Sequence, residues 1–152
     1  LATDMLEIAG KGTNNECRAM AEEAVSSGKA LDVLRKTIRL QGGDERICDD
    51  VSLLPRPEFH YEVRATEDMD IVSFNTEELG MTSLLLGAGR TEKGVRIDPS
   101  AGIVMNCSPG DTLSEGDVIM TLYSSFCSDF SNAAVRALNA VEFRSIGVRS
   151  YT

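Results

Sequence analysis

Residues 110–119, which read Gly110-Asp111-Thr112-Leu113-Ser114-Glu115-Gly116-Asp117-Val118-Ile119, decide the fold. The stretch contains two Gly-Asp pairs six residues apart, and glycine beside a short acidic residue is typical of a tight turn. Leu113 and Ile119 follow the two pairs at the same distance. The pattern therefore predicts a turn, a short extended segment and a second turn into a strand, with both aliphatic side chains pointing inward.

Several stretches around this element have the composition and period of β-strands. In the clearest, Phe59, Tyr61, Val63 and Ala65 alternate with polar residues, as in a half-buried strand. We predict strands over 59–65, 71–74, 103–106 and 118–123, and a closing strand-like stretch over 142–148.

Apolar residues at helical spacing precede these strands and recur between them. We predict helices over 3–9, 14–27 and about 30–41, a fourth capped by Asn75 with Glu78 reaching back, and a last one capped by Ser128 or Asp129. Gly80 inside the fourth helix predicts close backbone packing there. The first helix starts at Leu1 without a preceding cap, so we expect that the chain was cut from a longer one.

Length, composition and charge exclude several classes of protein. The chain has 152 residues, 42% of them hydrophobic and 26% charged, which suits a folded unit and not a disordered chain. The net charge of −9 repels phosphate backbones and anionic lipids, so nucleic acids and membranes are poor partners. The longest aliphatic run is Leu84-Leu85-Leu86, far below the roughly 18 apolar residues of a membrane span, and no secretory signal is visible.

The cysteines and the histidine give little support for a metal site or for a catalytic relay between serine and histidine. Cys17, Cys48, Cys107 and Cys127 lie far apart without the short paired spacing of a zinc site. We expect four reduced, mostly buried thiols in a cytoplasmic protein and no metal or cofactor. His60 is the only histidine, and its place in the predicted strand over 59–65 indicates an outward-facing side chain rather than a catalytic one.

The glycine-rich stretch Gly87-Ala88-Gly89-Arg90 resembles a phosphate loop only in composition. A phosphate loop follows a strand and opens a helix, whereas these glycines follow a helix and are typical of its C-terminal stop. Lys93 and Arg96 in the next loop are a weak signal for contact with an anion on a neighbouring surface.

The double Gly-Asp element resembles the turn and strand of biotinyl and lipoyl carrier domains, which are flattened sandwiches of short strands. Carriers need a lysine on an exposed hairpin, but the lysines here are Lys11, Lys29, Lys36 and Lys93, and none follows Gly116. The stretch 121–125 stands where the carrier hairpin would fall. The resemblance implies a shared shape without the cofactor chemistry. A free-standing, non-catalytic binding or interaction module of this kind is the alternative, and a covalent adduct on Lys93 would favour it.

A longer resemblance covers most of the chain from Ala19 onward. Several blocks occur in the order and at the spacing of the carboxy-terminal part of pyrimidine-nucleoside phosphorylases, the family that includes thymidine phosphorylase. The blocks lie at 24–31, 41–44, 49–55, 79–80, 86–90, 97–103 and 110–119. The chain departs from the family pattern at Met69-Asp70, where relatives tend to carry glycine and an aromatic residue.

The resemblance implies an α+β chain with three parts. Residues 1–43 correspond to the helical tail of a larger phosphate-binding α/β domain, residues 44–58 to a linker, and residues 59–152 to a small α+β domain. The core of that domain is expected to be a biotinyl/lipoyl-like β-sandwich (barrel-sandwich hybrid). Apolar surface meant for the absent α/β domain is expected to be exposed on the first helices.

The family catalyses reversible phosphorolysis, in which phosphate cleaves a pyrimidine nucleoside into free base and pentose 1-phosphate. Its phosphate-binding segment begins Lys-His-Ser, and a later Arg, Ser and Lys set binds the base. The chain has no Lys-His pair, because its only histidine follows Phe59. We therefore expect no catalytic, phosphate-binding, nucleobase-binding or metal residue in this chain. The expected partner is the rest of the parent enzyme, a homodimer in which this part supports the closing lobe.

Overall fold

The protein is described by a computed structural model for residues 1–90 and 92–146. They form two compact units, Leu1–Leu54 and a second that begins at Pro55. The described helices are α1 Ala2–Ile8, α2 Asn14–Ser26, α3 Lys29–Leu40, α4 Thr76–Ser83 and α5 Ser131–Asn139. The strands are β1 Phe59–Arg64, β2 Met69–Phe74, β3 Gly102–Met105, β4 Thr112–Leu113, β5 Val118–Ser124 and β6 Val141–Ser145. The α+β class is confirmed; residues 147 and 148 of the predicted closing strand lie outside the described residues.

The first unit contains α1–α3 and two 3₁₀ turns, Glu45–Cys48 and Val51–Leu53. Each end of the three helices lies within a residue of its predicted position. At the start of α2 the Glu16 carboxylate accepts hydrogen bonds from the Thr13 backbone N–H at 2.8 Å and its hydroxyl at 2.7 Å. Cys17 is the single buried residue between Leu1 and Leu54, so this unit has almost no hydrophobic core of its own.

The end of α3 shows why two glycines stand together in the sequence. Gly42 has a φ of +79°, a conformation in which glycine carries no steric penalty. The N–H of Gly43 donates to the Ile38 carbonyl, and a Cβ on Gly43 would lie 2.9 Å from Ile38 Cγ2. Asp44 then accepts from the Arg46 N–H at 3.0 Å and opens the 3₁₀ turn. The block at 41–44 therefore ends α3 and then caps the 3₁₀ turn that begins at Glu45.

The second unit contains two antiparallel sheets of three strands, in the orders β1-β5-β3 and β4-β2-β6. In the first sheet, β5 pairs with β1 from Ser124 opposite Phe59 to Val118 opposite Arg64, and with β3 on its other side. In the second, β2 pairs with both β4 and β6. Each sheet therefore has one strand with neighbours on both sides.

The core of the second unit is built around β5. Ile119, Met120 and Leu122 are fully buried, and burial of each such side chain stabilises a protein by about 1.5–3 kcal/mol. They share the core with apolar residues of both sheets, of α5 and of the turn after α4, among them Val63, Met69, Ile71, Leu86, Ala133, Ala137 and Val141. The fold of this unit is therefore fixed by a central strand that is apolar on both faces.

The double Gly-Asp element forms two turns of the same design, as predicted. Gly110 and Gly116 have φ values of +98° and +91°. In each turn the aspartate that follows the glycine accepts a hydrogen bond from the backbone N–H three residues before it, at 2.8 Å in both cases. Ile119 is buried, and Leu113 is half-buried against the core.

Backbone hydrogen bonds attach both turns to neighbouring strands. The Gly110 N–H donates to the Ile71 carbonyl at 2.8 Å, and the Gly116 N–H donates to the Ala65 carbonyl at 2.9 Å. Reciprocal bonds run from the Ile71 N–H to Asp111 and from the Ala65 N–H to Asp117. The two turns, six residues apart, are therefore attached to Ala65 directly after β1 and to Ile71 within β2.

Three sequence predictions about α4 and α5 are wrong in detail. A Cβ on Gly80 would meet nothing within 4 Å, so no backbone packs closely there. Asn75 does cap α4 by accepting from the Glu78 N–H at 3.2 Å, but the Glu78 side chain lies 2.7 Å from Arg136 Nε instead of reaching back. The residue before α5 is Phe130, while Asp129 accepts from the Ser131 N–H.

The surroundings of Gly116 and Gly80 predict that substitution by alanine changes the free energy of unfolding in opposite directions. Gly116→Ala places a Cβ at positive φ and is expected to lower the free energy of unfolding by about 1–2 kcal/mol. Gly80→Ala, in an exposed helical position with free space, is expected to raise it by about 0.5–1 kcal/mol. Urea unfolding followed by circular dichroism measures both. A stabilising Gly116→Ala would contradict the assigned turn.

Candidate functional site

The most deeply buried charged side chain among the described residues is Asp98, in the loop between α4 and β3. It is 2% exposed. Its carboxylate accepts hydrogen bonds from the Ser125 N–H at 2.5 Å, the Ser100 N–H at 2.9 Å and the Ser100 hydroxyl at 2.6 Å. Burial alone would raise the pKa of this carboxyl, but the bonds from Ser100 and Ser125 outweigh it and hold the pKa below 3.8.

The glycines of the stretch 87–90 end a helix, as predicted, and pack against this carboxylate. A π-helical turn, Leu84–Ala88, continues α4 and contains a kink at Gly87, which has a non-helical φ of +101°. A Cβ on Gly87 would lie 3.3 Å from Asp98 Cβ, and one on Gly89 would lie 2.5 Å from Leu84 Cδ1. The Asp98 N–H donates to the Gly87 carbonyl at 2.8 Å. These glycines therefore make a close-packed turn, and their arrangement is not that of a phosphate loop.

The candidate cations of the next loop are exposed. Arg90 and Lys93 lie in solvent. The Arg96 guanidinium stands 5.4 Å from the centre of the Phe126 ring, a cation–π contact. His60 is exposed, as predicted from the strand, and its ring is tilted against that of Tyr123 at 6.2 Å.

All four cysteines have free thiols, of which Cys17 and Cys107 are buried and Cys48 and Cys127 are half-buried. Burial raises the pKa of both the Cys17 and the Cys107 thiol, which lowers their reactivity. Within residues 1–90 and 92–146, no three His, Cys, Asp or Glu side chains stand close enough together to hold a metal ion. None of the helices in these ranges is long and apolar enough to cross a bilayer.

The first unit exposes an apolar surface on its helices, as predicted. Met5, Ile8, Val25 and Leu40 are each at least 66% exposed. A groove of about 460 Å³ runs between the helices and is lined by Ala2, Met5, Leu6, Met20, Ala21, Ala24, Val25 and Ala30. Exposed apolar surface of this kind is typical of a face that packs against another part of a protein.

The second unit has an α+β fold and the first exposes an apolar helical surface, and comparison with known proteins shows which family the chain resembles. Residues 71–144 match the sequence family "Pyrimidine nucleoside phosphorylase C-terminal domain". The chain is also 36% identical over 125 residues to the pyrimidine-nucleoside phosphorylases of Staphylococcus aureus strains USA300, NCTC 8325 / PS 47 and COL. That match covers 82% of this chain and 29% of each relative. The chain is therefore related to pyrimidine-nucleoside phosphorylases through their C-terminal domain, as the sequence blocks predicted.

The sequence blocks that carry this relationship coincide with turns and caps. The block at 41–44 stops α3, the block at 86–90 ends the π-helical turn, the block at 97–103 contains the Asp98 cluster, and the block at 110–119 forms the paired turns. The sequence singles out Asp98 only as a member of the block at 97–103. Its Asp-x-Ser pattern is a local signal for a turn, but no local pattern predicts that the side chain is buried or that it accepts a hydrogen bond from Ser125.

The charge on Asp98 predicts a dependence of stability on pH. Because the pKa of this carboxyl is lower in the folded chain than its ordinary value of 3.8, its contribution is present above that pH. The contribution is lost as the pH falls through the folded-state pKa. Asp98→Asn is expected to lower the free energy of unfolding at pH 7 by about 2 kcal/mol. Urea unfolding at pH 7 and pH 3 should show the gap between wild type and variant narrowing at the lower pH; a gap that widens would contradict the assignment.

Proposed function

We propose that the chain acts as the C-terminal part of a pyrimidine-nucleoside phosphorylase. The whole enzyme would cleave thymidine- or uridine-type nucleosides reversibly with phosphate, giving free base and pentose 1-phosphate in nucleoside salvage. The observation that carries the proposal is the 36% identity over 82% of the chain. The chain spans 29% of the length of these relatives, so most of the enzyme would lie outside it.

The role proposed for this part is structural. Residues 1–43 would be the helical tail of the phosphate-binding α/β domain, residues 44–58 a linker, and residues 59–152 the C-terminal domain with its biotinyl/lipoyl-like sandwich. The apolar groove along α1–α3 supports this division, because the first unit buries one side chain and needs another surface to cover the rest. Packed in this way, the C-terminal domain would steady the lobe that closes over the substrates and excludes water.

The residues in the family-like sequence blocks support our proposal that this part lacks catalytic groups. Phosphorolysis needs cations and hydroxyls held in line with phosphate and with the departing base. The family-like blocks instead supply glycines at positive φ and carboxylates that accept backbone N–H groups. We infer that catalytic, phosphate-binding and nucleobase-binding residues belong to the rest of the enzyme, a cytoplasmic homodimer in this proposal.

The alternative of a free-standing carrier-like module is not favoured. A carrier presents its modified residue on an exposed hairpin, but the stretch that would hold it here belongs to the central strand β5. Thr121, Leu122 and Ser124 of that stretch are buried. Lys93 is exposed but lies in the loop before β3.

A phosphorolysis assay tests the proposed division of function. The full-length protein encoded by the same gene is expected to convert thymidine or uridine to free base with phosphate. The 152-residue chain alone should show no turnover above buffer, because the reacting groups lie elsewhere, and a parent truncated before Leu1 should lose at least about a hundredfold in kcat/KM. Liquid chromatography of the released base gives the rates.

The control is a mixture of the truncated parent with the purified chain, which should recover part of the lost activity if the missing element is structural support. Turnover by the chain alone at a rate close to that of the full-length protein would overturn the proposal. So would full activity of the truncated parent.

A further inference from the structure

A chain of hydrogen bonds leads from β1 to the buried Asp98 carboxylate. The Glu58 backbone N–H lies 3.1 Å from Ser125 Oγ, the Ser125 and Ser100 hydroxyl oxygens are 2.8 Å apart, and Ser100 Oγ is 2.6 Å from Asp98 Oδ1. These residues lie directly before β1, in the turn after β5 and in the loop before β3. Asp98 therefore lies where three parts of the second unit meet.

The charge of Asp98 fixes the direction of every bond in this chain. An ionised carboxylate only accepts hydrogen bonds, and a serine hydroxyl has a single proton to donate. The Ser100 hydroxyl must therefore donate to Asp98, so the Ser125 hydroxyl donates to Ser100 and its oxygen accepts from Glu58. One charge thereby sets the orientation of two hydroxyl groups.

A second set of bonds attaches the other end of the same loop to the same turn. The Ser124 hydroxyl donates to the Leu86 carbonyl at 2.7 Å, and its oxygen accepts from the N–H groups of Phe126 and Cys127 at 3.1 and 2.9 Å. Asp98 in turn bonds to Gly87 through its own N–H. Both ends of the loop from Gly87 to Asp98 are therefore held against the turn at Ser124–Cys127.

We propose that Asp98 is a positioning residue that locks the ends of the Gly87–Asp98 loop onto the Ser124–Cys127 turn and thereby fixes Arg96 over Phe126. Arg96 lies two residues before Asp98, and Phe126 follows the serine whose N–H donates to the carboxylate. The loop also carries Arg90 and Lys93. Because its two ends are anchored, it presents a group of cations at a fixed place in a chain whose net charge is −9. This inference does not depend on the proposed enzymatic function.

The chain contains a matched control for the Asp98 cluster. Asp129 also accepts from a serine two residues later, through the Ser131 N–H at 3.0 Å and the Ser131 hydroxyl at 2.6 Å. Asp129 is exposed, and Asp98 is buried and also accepts from Ser125. The comparison of Asp98→Asn with Asp129→Asn therefore isolates the long-range contacts from the local turn.

Limited trypsin digestion of the native chain measures how firmly the loop is held. Cleavage after Lys93 and Arg96, followed by mass spectrometry, is expected to be about tenfold faster in Asp98→Asn than in wild type, because charge-assisted bonds keep the loop ends closed. Asp129→Asn should stay within about twofold of wild type. Cleavage after Arg136 in α5 is the internal reference for global unfolding and should change far less than cleavage in the loop.

An NMR titration supplies a readout that general destabilisation does not move. The Ser125 amide proton should resonate downfield in wild type while Asp98 is ionised, and should move upfield as the pH falls below 3.8. Burial raises the pKa of Asp98, hydrogen bonds lower it by more, and no neighbouring charged side chain contributes to the shift, so a single titration step is expected. In Asp98→Asn the downfield resonance and its titration should both be absent.

Two results would overturn the proposal. One is equal acceleration of cleavage at Arg96 and Arg136 in Asp98→Asn, which would make Asp98 a contributor to global stability alone. The other is a Ser125 amide in wild type that does not titrate with an acidic group. The second measurement uses only the wild-type chain, so it decides the matter even if the variant fails to fold.

Discussion

The second unit depends on the burial of one strand, β5. Its residues from Ile119 to Leu122 are buried, and it is the strand on which β1 and β3 both pair. The paired turns place the start of this strand, because Gly116 and Asp117 bond to Ala65 immediately after β1. At the other end, Ser124 and Ser125 bond to Leu86 and Asp98. The buried strand is thus held at both ends by polar contacts, as buried backbone and side-chain polar groups require.

The first unit, in contrast, has polar contacts but almost no buried apolar core. It has a capping box at α2 and a bidentate ion pair between Arg35 and Asp49, with distances of 2.6 and 2.8 Å, yet one buried residue. Capping and surface ion pairs contribute little compared with the burial of an apolar face. This imbalance and the similarity to enzymes of which the match covers only 29% lead to the same proposal, in which α1–α3 complete a larger domain.

The sequence was sufficient to predict most helices, the main strands and the paired turns, because each has a local signal. Apolar spacing marks α2 and α3, and glycine with aspartate marks the turns at 110 and 116. The two-residue strand β4 was predicted only as a short extended segment between the turns, because it is too short to show a period. The Asp98 cluster was missed because Ser125 lies 27 residues away, and contacts at that separation leave no periodic trace. The prediction of close backbone packing at Gly80 was wrong. A glycine inside a helix often marks such packing, but here it faces open space.

In the proposed function, the groups that bind phosphate and a pyrimidine lie outside this chain. Isothermal titration calorimetry of the purified 152-residue chain with orthophosphate, and separately with thymine, measures whether they do. Heats no larger than those of dilution are expected for both ligands. Saturable binding of either ligand at one site per chain would contradict this proposal.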